Sequence, residues 1–145
     1  MKVLLDTTAL IDLMRKDKNN ENLVKKLEEL RSKGCSFCTT VINVYEVRRG
    51  IMLMKDNLEK QLNAFRLIEM NLYVLTLDYS ATEKASEIYA NLRKKGKEID
   101  EGDYLIAGVC LSNEIKTILT RNEKHFCEIG SLKVINYSGN SVNDR

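Results

Sequence analysis

The fold class can be predicted from the stretch Lys2-Val3-Leu4-Leu5-Asp6-Thr7-Thr8-Ala9-Leu10-Ile11-Asp12-Leu13. Its apolar run is consecutive rather than alternating, which is typical of a strand buried on both faces of a parallel sheet. The run ends at Asp6, and Leu10 and Leu13 then recur at helical spacing. Asp6 is therefore predicted at the carboxyl end of the first strand, where open α/β sheets bind their ligands. The alternative is that Asp6 only caps the following helix, since Asp is a favourable N-cap residue.

The rest of the chain continues this alternation of strands and helices. Short apolar runs predict further strands at residues 35–39, 72–75, 117–119 and 132–135, with periodic apolar segments typical of helices between them. Ser80 and Glu83 match a capping box that would open the fifth helix. We predict a single α/β domain over residues 1–136, with a central, mostly parallel sheet of about five strands flanked by helices. Residues 137–145 are predicted to form a polar C-terminal tail.

Composition excludes several classes of protein. With 145 residues, 43% of them hydrophobic and 30% charged, the chain resembles an ordinary globular domain. No apolar run approaches the roughly 20 residues of a membrane span and none resembles a signal peptide, so we expect a cytoplasmic protein without membrane contact. The net charge is only +2, so any nucleic-acid-binding surface must be local. Cys35 and Cys38 would lie on opposite faces of a strand, which disfavours a zinc site.

Four polar residues share one predicted position, the carboxyl end of a strand or the first turns of a neighbouring helix. They are Asp6, Glu46, Asp103 and Asn122. Each has an ordinary alternative: Asp6 and Asn122 as helix caps, Asp103 as an acidic residue in a first helical turn, and Glu46 as a surface partner of an arginine. Three carboxylates that converge would repel one another unless a cation neutralised them. Oxygen ligands of this kind favour Mg²⁺ or Mn²⁺, ions that commonly support phosphodiester hydrolysis.

Four segments together resemble the PIN-domain family, and within it the VapC-type toxins of prokaryotic toxin–antitoxin pairs. They are Leu4–Asp12 (LLDTTALID), Thr39–Gly50 (TTVINVYEVRRG), Ile99–Ala107 with its DYLIA, and Leu119–Phe126 (LTRNEKHF). The segments occur in the family's order and cover nearly the whole chain.

The resemblance implies a Mg²⁺- or Mn²⁺-dependent endoribonuclease that acts on RNA as a homodimer and is silenced by an antitoxin packing on the helices at 20–70. It implies that Asp6, Glu46 and Asp103 hold the metal. Asn122 matches a fourth catalytic position that is often acidic, and a neutral amide there departs from the pattern. Thr7 and Thr120 match hydroxyl positions that flank the family's site, and we predict that both contact the substrate, although capping of strand ends is an alternative role for both.

Residues near Asn122 complete the predicted site. Arg121 and Lys124 bracket Asn122 and are predicted to contact an RNA phosphate. His125 is the only histidine and is predicted to pack in a short turn, which disfavours a histidine-based ribonuclease mechanism. Asp12 is predicted at the surface.

Two other functions are compatible with the same fold. The first is a PIN-like binding module without catalysis, which the amide at Asn122 favours. The second is a receiver domain that accepts a phosphoryl group on an Asp, but the chain lacks the expected acidic pair near the end of its first strand. The nuclease is the function that all four segments support together.

Overall fold

A computed structural model describes residues 1–139 of the chain. The elements follow in the order β1 (Lys2–Leu5), α1 (Thr7–Leu13), α2 (Lys18–Ser32), β2 (Ser36–Thr40), α3 (Val41–Met52), α4 (Leu58–Glu69), β3 (Tyr73–Leu75), α5 (Tyr79–Lys94), α6 (Glu101–Ser112), β4 (Thr117–Thr120) and β5 (Lys133–Asn136). A short 3-10 helix, Glu123–His125, lies between β4 and β5. None of the helices in residues 1–139 has the length and apolarity needed to cross a membrane.

The five strands form one sheet in the order β3-β2-β1-β4-β5, and all four pairings are parallel. The central strand is β1, where Leu4 pairs with Cys38 of β2 and with Ile118 of β4. The prediction of a single α/β domain with a parallel sheet is confirmed. Because all strands run in one direction, their carboxyl ends meet at one edge of the sheet.

Helices cover both faces of the sheet, which explains the consecutive apolar residues of β1. Val3 and Leu5 point to a core shared with α1, α2, α3 and α4. Leu4 points to the opposite face and packs in a second core with residues of α5 and α6. All three side chains are at most 1% exposed. Alternation along a strand therefore places successive apolar residues in two separate cores.

Two local predictions differ from the structure. Helix α5 is capped by Asp78, whose carboxylate accepts a hydrogen bond from the backbone of Ala81 at 2.9 Å, so the predicted capping box at Ser80 is wrong. Tyr137, which the sequence assigns to the polar tail, is buried in the first core. Its hydroxyl donates a hydrogen bond to Asp12, which ties the end of the chain to α1. The rest of the predicted tail, residues 140–145, lies outside the described residues.

Candidate active site

The structure brings the four predicted polar residues to one cavity at the carboxyl edge of the sheet. Asp6 follows β1 directly, Glu46 lies on α3, Asp103 lies in the first turn of α6, and Asn122 follows β4. The cavity has a volume of about 700 Å³, which is within the range of small-ligand pockets. The parallel arrangement of the strands therefore produces the convergence that the sequence predicts.

Helix capping does not explain these side chains. Asp6, Asp100 and Asn122 do occupy the N-cap positions of α1, α6 and the 3-10 helix. The side chains of Asp100 and Asn122 cap no backbone N–H of the helices that they precede, and Asp6 is hydrogen-bonded to Asn43 and Thr120, outside α1. Side chains at N-caps normally accept a hydrogen bond from such an N–H. Here they are instead directed towards the cavity or towards other polar groups.

Asp6 is held at both carboxylate oxygens. Asn43 Nδ2 donates to Oδ1 at 3.0 Å, and Thr120 Oγ1 donates to Oδ2 at 3.0 Å. The side chain is almost fully buried. Burial raises the pKa of Asp6, hydrogen bonds from Thr7 and Thr120 oppose that effect, and the nearby carboxylate of Glu46 raises the pKa further. Asp6 is thus fixed in position but short of compensating positive charge.

Asn43, which was not predicted as a site residue, connects Asp6 to Glu46. Its Nδ2 also donates to Thr7 Oγ1 at 3.0 Å, and that hydroxyl donates to Glu46 Oε1 at 2.9 Å. Thr40 anchors Asn43 in turn: Thr40 Oγ1 donates to Asn43 Oδ1 at 2.7 Å, in addition to the capping box that the two residues form at the start of α3. The Thr-x-x-Asn spacing was the available signal, because it also places Asn43 one turn before Glu46.

Asp103 and His125 form the other side of the cavity. His125 Nδ1 lies 2.6 Å from Asp103 Oδ2, and Asn122 Nδ2 lies 2.8 Å from His125 Nε2. The prediction that His125 only packs in its turn is therefore wrong, because its ring lines the cavity. Burial raises the pKa of Asp103 to about 6, although the adjacent His125 opposes this and Asp6 adds to it.

The closely spaced potential metal ligands differ from the predicted set. In residues 1–139, Asp100, Asp103 and His125 each present a ligand atom within 4.8 Å of the other two. Only Asp103 belongs to the predicted metal-binding set, in which it is joined by Asp6 and Glu46. All five side chains line the same cavity. His125 was not predicted as a potential ligand because nothing in the local sequence indicates which way a three-residue helix turns its side chains.

The predicted substrate contacts Thr7, Thr120 and Arg121 have other partners. Thr120 is fully buried and binds Asp6, and Thr7 binds Glu46, so both support carboxylates. The guanidinium of Arg121 forms two hydrogen bonds with Asp12, and its Nη2 lies 3.2 Å from Oδ1.

This pairing corrects two predictions. Asp12 is fully buried rather than at the surface, and Arg121 neutralises it instead of facing the cavity. Lys124 lines a smaller cavity beside Asp103 and His125. Of the two predicted phosphate contacts, Lys124 is therefore the one that lies beside the site.

Comparison with known proteins identifies the family. A family model described as PIN domain matches residues 3–132. This chain belongs to the PIN domain family. Over 125 residues it is 34% identical to Ribonuclease VapC1 of Methanocaldococcus jannaschii, an alignment that covers 86% of this chain and 79% of that protein. The family resemblance predicted from four sequence segments is therefore confirmed.

Solved structures share the fold of this PIN domain. VapBC-1 from nontypeable Haemophilus influenzae matches with a TM-score of 0.78 and 25% identity, covering 94% of this chain and 98% of that one. VapBC-5 from Mycobacterium tuberculosis, a member of the VapBC family of toxin-antitoxin systems, matches with a TM-score of 0.69 and 18% identity, covering 93% and 98%. At 18% identity the second comparison shows the fold alone.

The donor set of the PIN domain fits a hard divalent cation. Asp6, Glu46 and Asp103 supply carboxylate oxygens, the ligands that Mg²⁺ and Mn²⁺ prefer. Oδ2 of Asp103 is buried and lies 2.6 Å from His125 Nδ1. Burial of a carboxylate is costly unless positive charge compensates it. The burial and raised pKa values of Asp6 and Asp103 indicate a site that favours positive charge.

Proposed function

We propose that this PIN domain is a Mg²⁺- or Mn²⁺-dependent endoribonuclease that hydrolyses RNA phosphodiester bonds and acts as the toxin of a toxin–antitoxin pair. The observation that carries the proposal is the convergence of Asp6, Glu46 and Asp103 on one cavity, with Asp6 and Asp103 both buried. The similarity to a protein named as a ribonuclease supports the reaction and the substrate.

In this proposal Asp6, Glu46 and Asp103 hold the ion, and Asn122 and His125 border it. A bound divalent ion supplies an activated water and stabilises negative charge on the phosphate and the leaving oxygen. The chain itself fixes the ligands before any ion arrives. Asn43 holds Asp6 and, through Thr7, orients Glu46. Such preorganisation reduces the cost of ordering ligands when the ion and the RNA bind.

Asn122 and His125 position Asp103 on the opposite side. An amide nitrogen can only donate, so His125 Nε2 accepts from Asn122 Nδ2 and the ring proton lies on Nδ1, the nitrogen that is 2.6 Å from Asp103 Oδ2. The amide at position 122 thus sets the tautomer of His125 and does not need to be a charged ligand. We propose that this explains how the chain tolerates Asn where the family pattern is often acidic.

The partners follow from the same family. We propose a cognate antitoxin protein that packs on helices within residues 20–70, and a homodimer of the PIN domain. An apolar cavity of about 340 Å³ lies between helices of this region and is lined by Leu13, Leu27, Leu67 and Leu72 among others. Leu67 is 65% exposed in the single chain. Apolar surface of this kind favours a protein partner.

The test is cleavage of a mixed pool of transfer and ribosomal RNA with Mn²⁺, with mapping of the ends. Wild type should produce cuts that leave 5′ phosphates and disappear with a chelator. Asp6→Asn should abolish the cuts, while Asp56→Asn, the same change in an exposed loop, should preserve them. Cuts that persist in Asp6→Asn would contradict the assigned site. No cleavage together with no Mn²⁺ binding would instead favour the catalytically silent binding module.

A further inference from the structure

The cavity has an apolar, aromatic wall that metal binding does not explain. Beside the carboxylates, α3 contributes Val41, Ile42 and Tyr45 to the cavity lining, and α6 contributes Leu105. Tyr45 is 60% exposed and Val41 is 38% exposed. Coordination of a divalent ion by carboxylates does not involve an exposed aromatic ring. This wall therefore fits a flat, partly apolar group attached to the phosphate that the carboxylates would act upon.

Tyr45 and Arg49 form a pair on the same face of α3. They are four residues apart, so their side chains are neighbours on the helix. The guanidinium carbon of Arg49 lies 5.4 Å from the centre of the Tyr45 ring. Arg49 Nη2 also lies 4.0 Å from Glu46 Oε2, and both side chains of the pair line the cavity. The pair is thus a flat, cationic platform immediately beside a predicted metal ligand.

We propose that the Tyr45–Arg49 platform stacks a nucleobase of the RNA adjacent to the phosphate at the carboxylates. This rests on the proposed function and specifies its substrate: RNA in which that base is unstacked, in a single strand or a loop. Aromatic rings and guanidinium planes are the groups on which such bases stack. A base within a duplex is already stacked on its neighbours and is excluded from the platform.

The charges around the platform agree with a nucleotide more than with an apolar peptide. The side chain of Arg49 is 60% exposed, and besides Tyr45 it neighbours Glu46. In the proposed site, Glu46 binds the metal ion. The guanidinium is then available to a phosphate next to the stacked base. An apolar protein segment would leave the positive charge and the adjacent carboxylates without partners.

The experiment measures binding of a short single-stranded RNA that carries 2-aminopurine, a fluorescent base whose emission falls when it stacks. Ca²⁺ replaces the catalytic ion, so that binding is observed without cleavage. The variants are Tyr45→Leu, which removes the ring, and Tyr45→Phe, which keeps it. Tyr79→Leu is the matched control, because Tyr79 is 80% exposed on α5 and does not line the cavity.

Wild type and Tyr45→Phe should bind the single strand with quenched emission and bind the corresponding duplex far more weakly. Tyr45→Leu should lose the quenching and weaken binding by about 5- to 150-fold, the range for loss of one stacked base. Tyr79→Leu should match wild type. In cleavage assays, Tyr45→Leu should raise KM more than it lowers kcat, since stacking acts on bound substrate as well as on the transition state.

Three results would overturn the platform. One is equal quenching and affinity for Tyr45→Leu and wild type, and another is equal binding of single-stranded and duplex RNA by wild type. The third is a change in oligomeric state alone, measured by sedimentation, which would make this face a contact between copies. The platform and the nuclease function can fail independently. If wild type quenches the emission but does not cleave RNA, the platform is supported and the nuclease function is not. If wild type and Tyr45→Leu cleave RNA equally well, the nuclease function is supported and the platform is not.

Discussion

Asp103→Asn should stabilise the metal-free protein. Burial raises the pKa of this carboxyl from 3.8 to about 6, so keeping it ionised in the folded state has a cost. A shift of one pKa unit corresponds to about 1.4 kcal/mol, so keeping Asp103 ionised in the folded protein at pH 8 costs about 2 to 3 kcal/mol. The neutral amide avoids that cost. For a chain of this length the gain corresponds to a rise in Tm of about 6 to 9 °C.

The pH dependence has a definite sign. Because the folded-state pKa of Asp103 is above the unfolded one, the folded protein binds more protons than the unfolded chain between about pH 4 and pH 6. The stability of metal-free wild type should therefore fall as the pH rises through this window and level off above it. Below pH 4 both states are protonated, so the advantage of Asp103→Asn should disappear.

The assay is thermal unfolding in the presence of EDTA from pH 3.5 to pH 8, repeated with Mn²⁺. Asp56→Asn is the control for a neutralised acid at an exposed position. Mn²⁺ should raise the Tm of wild type, because a ligand of the native state stabilises it, and should raise that of Asp103→Asn much less. If Asp103→Asn is no more stable than wild type at pH 8 in EDTA, ionisation of the buried Asp103 does not destabilise the metal-free protein.

Three further changes test the packing, the buried ion pair and the metal site. Gly108→Ala should lower the free energy of unfolding in urea by about 1 to 3 kcal/mol, because a Cβ there would lie 2.5 Å from the carbonyl oxygen of Ala81. Gly50→Ala, in open space on α3, should raise it by about 0.5 to 1 kcal/mol. Equal effects of the two substitutions would contradict the close packing of α5 on α6. Arg121→Met should cost about 3 to 5 kcal/mol by leaving Asp12 buried and unpaired, and adding Asp12→Leu should recover much of that loss. Calorimetric titration should show Mn²⁺ affinity falling up to about tenfold per pH unit below pH 6, since protons compete for the buried carboxylates; a constant affinity would place the ion elsewhere.

The fold and the convergence of the carboxylates were predictable because both follow from local patterns. Consecutive apolar residues in β1 and the helical spacing that follows identify a buried parallel strand, and parallel strands must end at one edge. That geometry brings Asp6 and Asn122 to the same cavity, and the first turn of α6 adds Asp103 there. It needs no knowledge of side-chain conformation.

The residues that were missed depend on contacts between distant segments. Asn43 appears as an ordinary polar residue of a helix, and only the fold brings Asp6 to its amide. Asp12 and Arg121 each look like surface charges, although they pair across the boundary between α1 and the end of β4. His125 lines the cavity because of how a single short turn is oriented. Such pairings are set by tertiary packing rather than by periodicity.

Mn²⁺ titration followed by electron paramagnetic resonance measures whether Asp6, Glu46 and Asp103 hold one or more divalent ions. The spectrum of free Mn²⁺ should diminish on addition of wild-type protein and of Asp56→Asn. It should persist with Asp6→Asn and with Asp103→Asn, provided that circular dichroism shows both variants folded. Equal Mn²⁺ binding by wild type and by both cavity variants would contradict the assigned site.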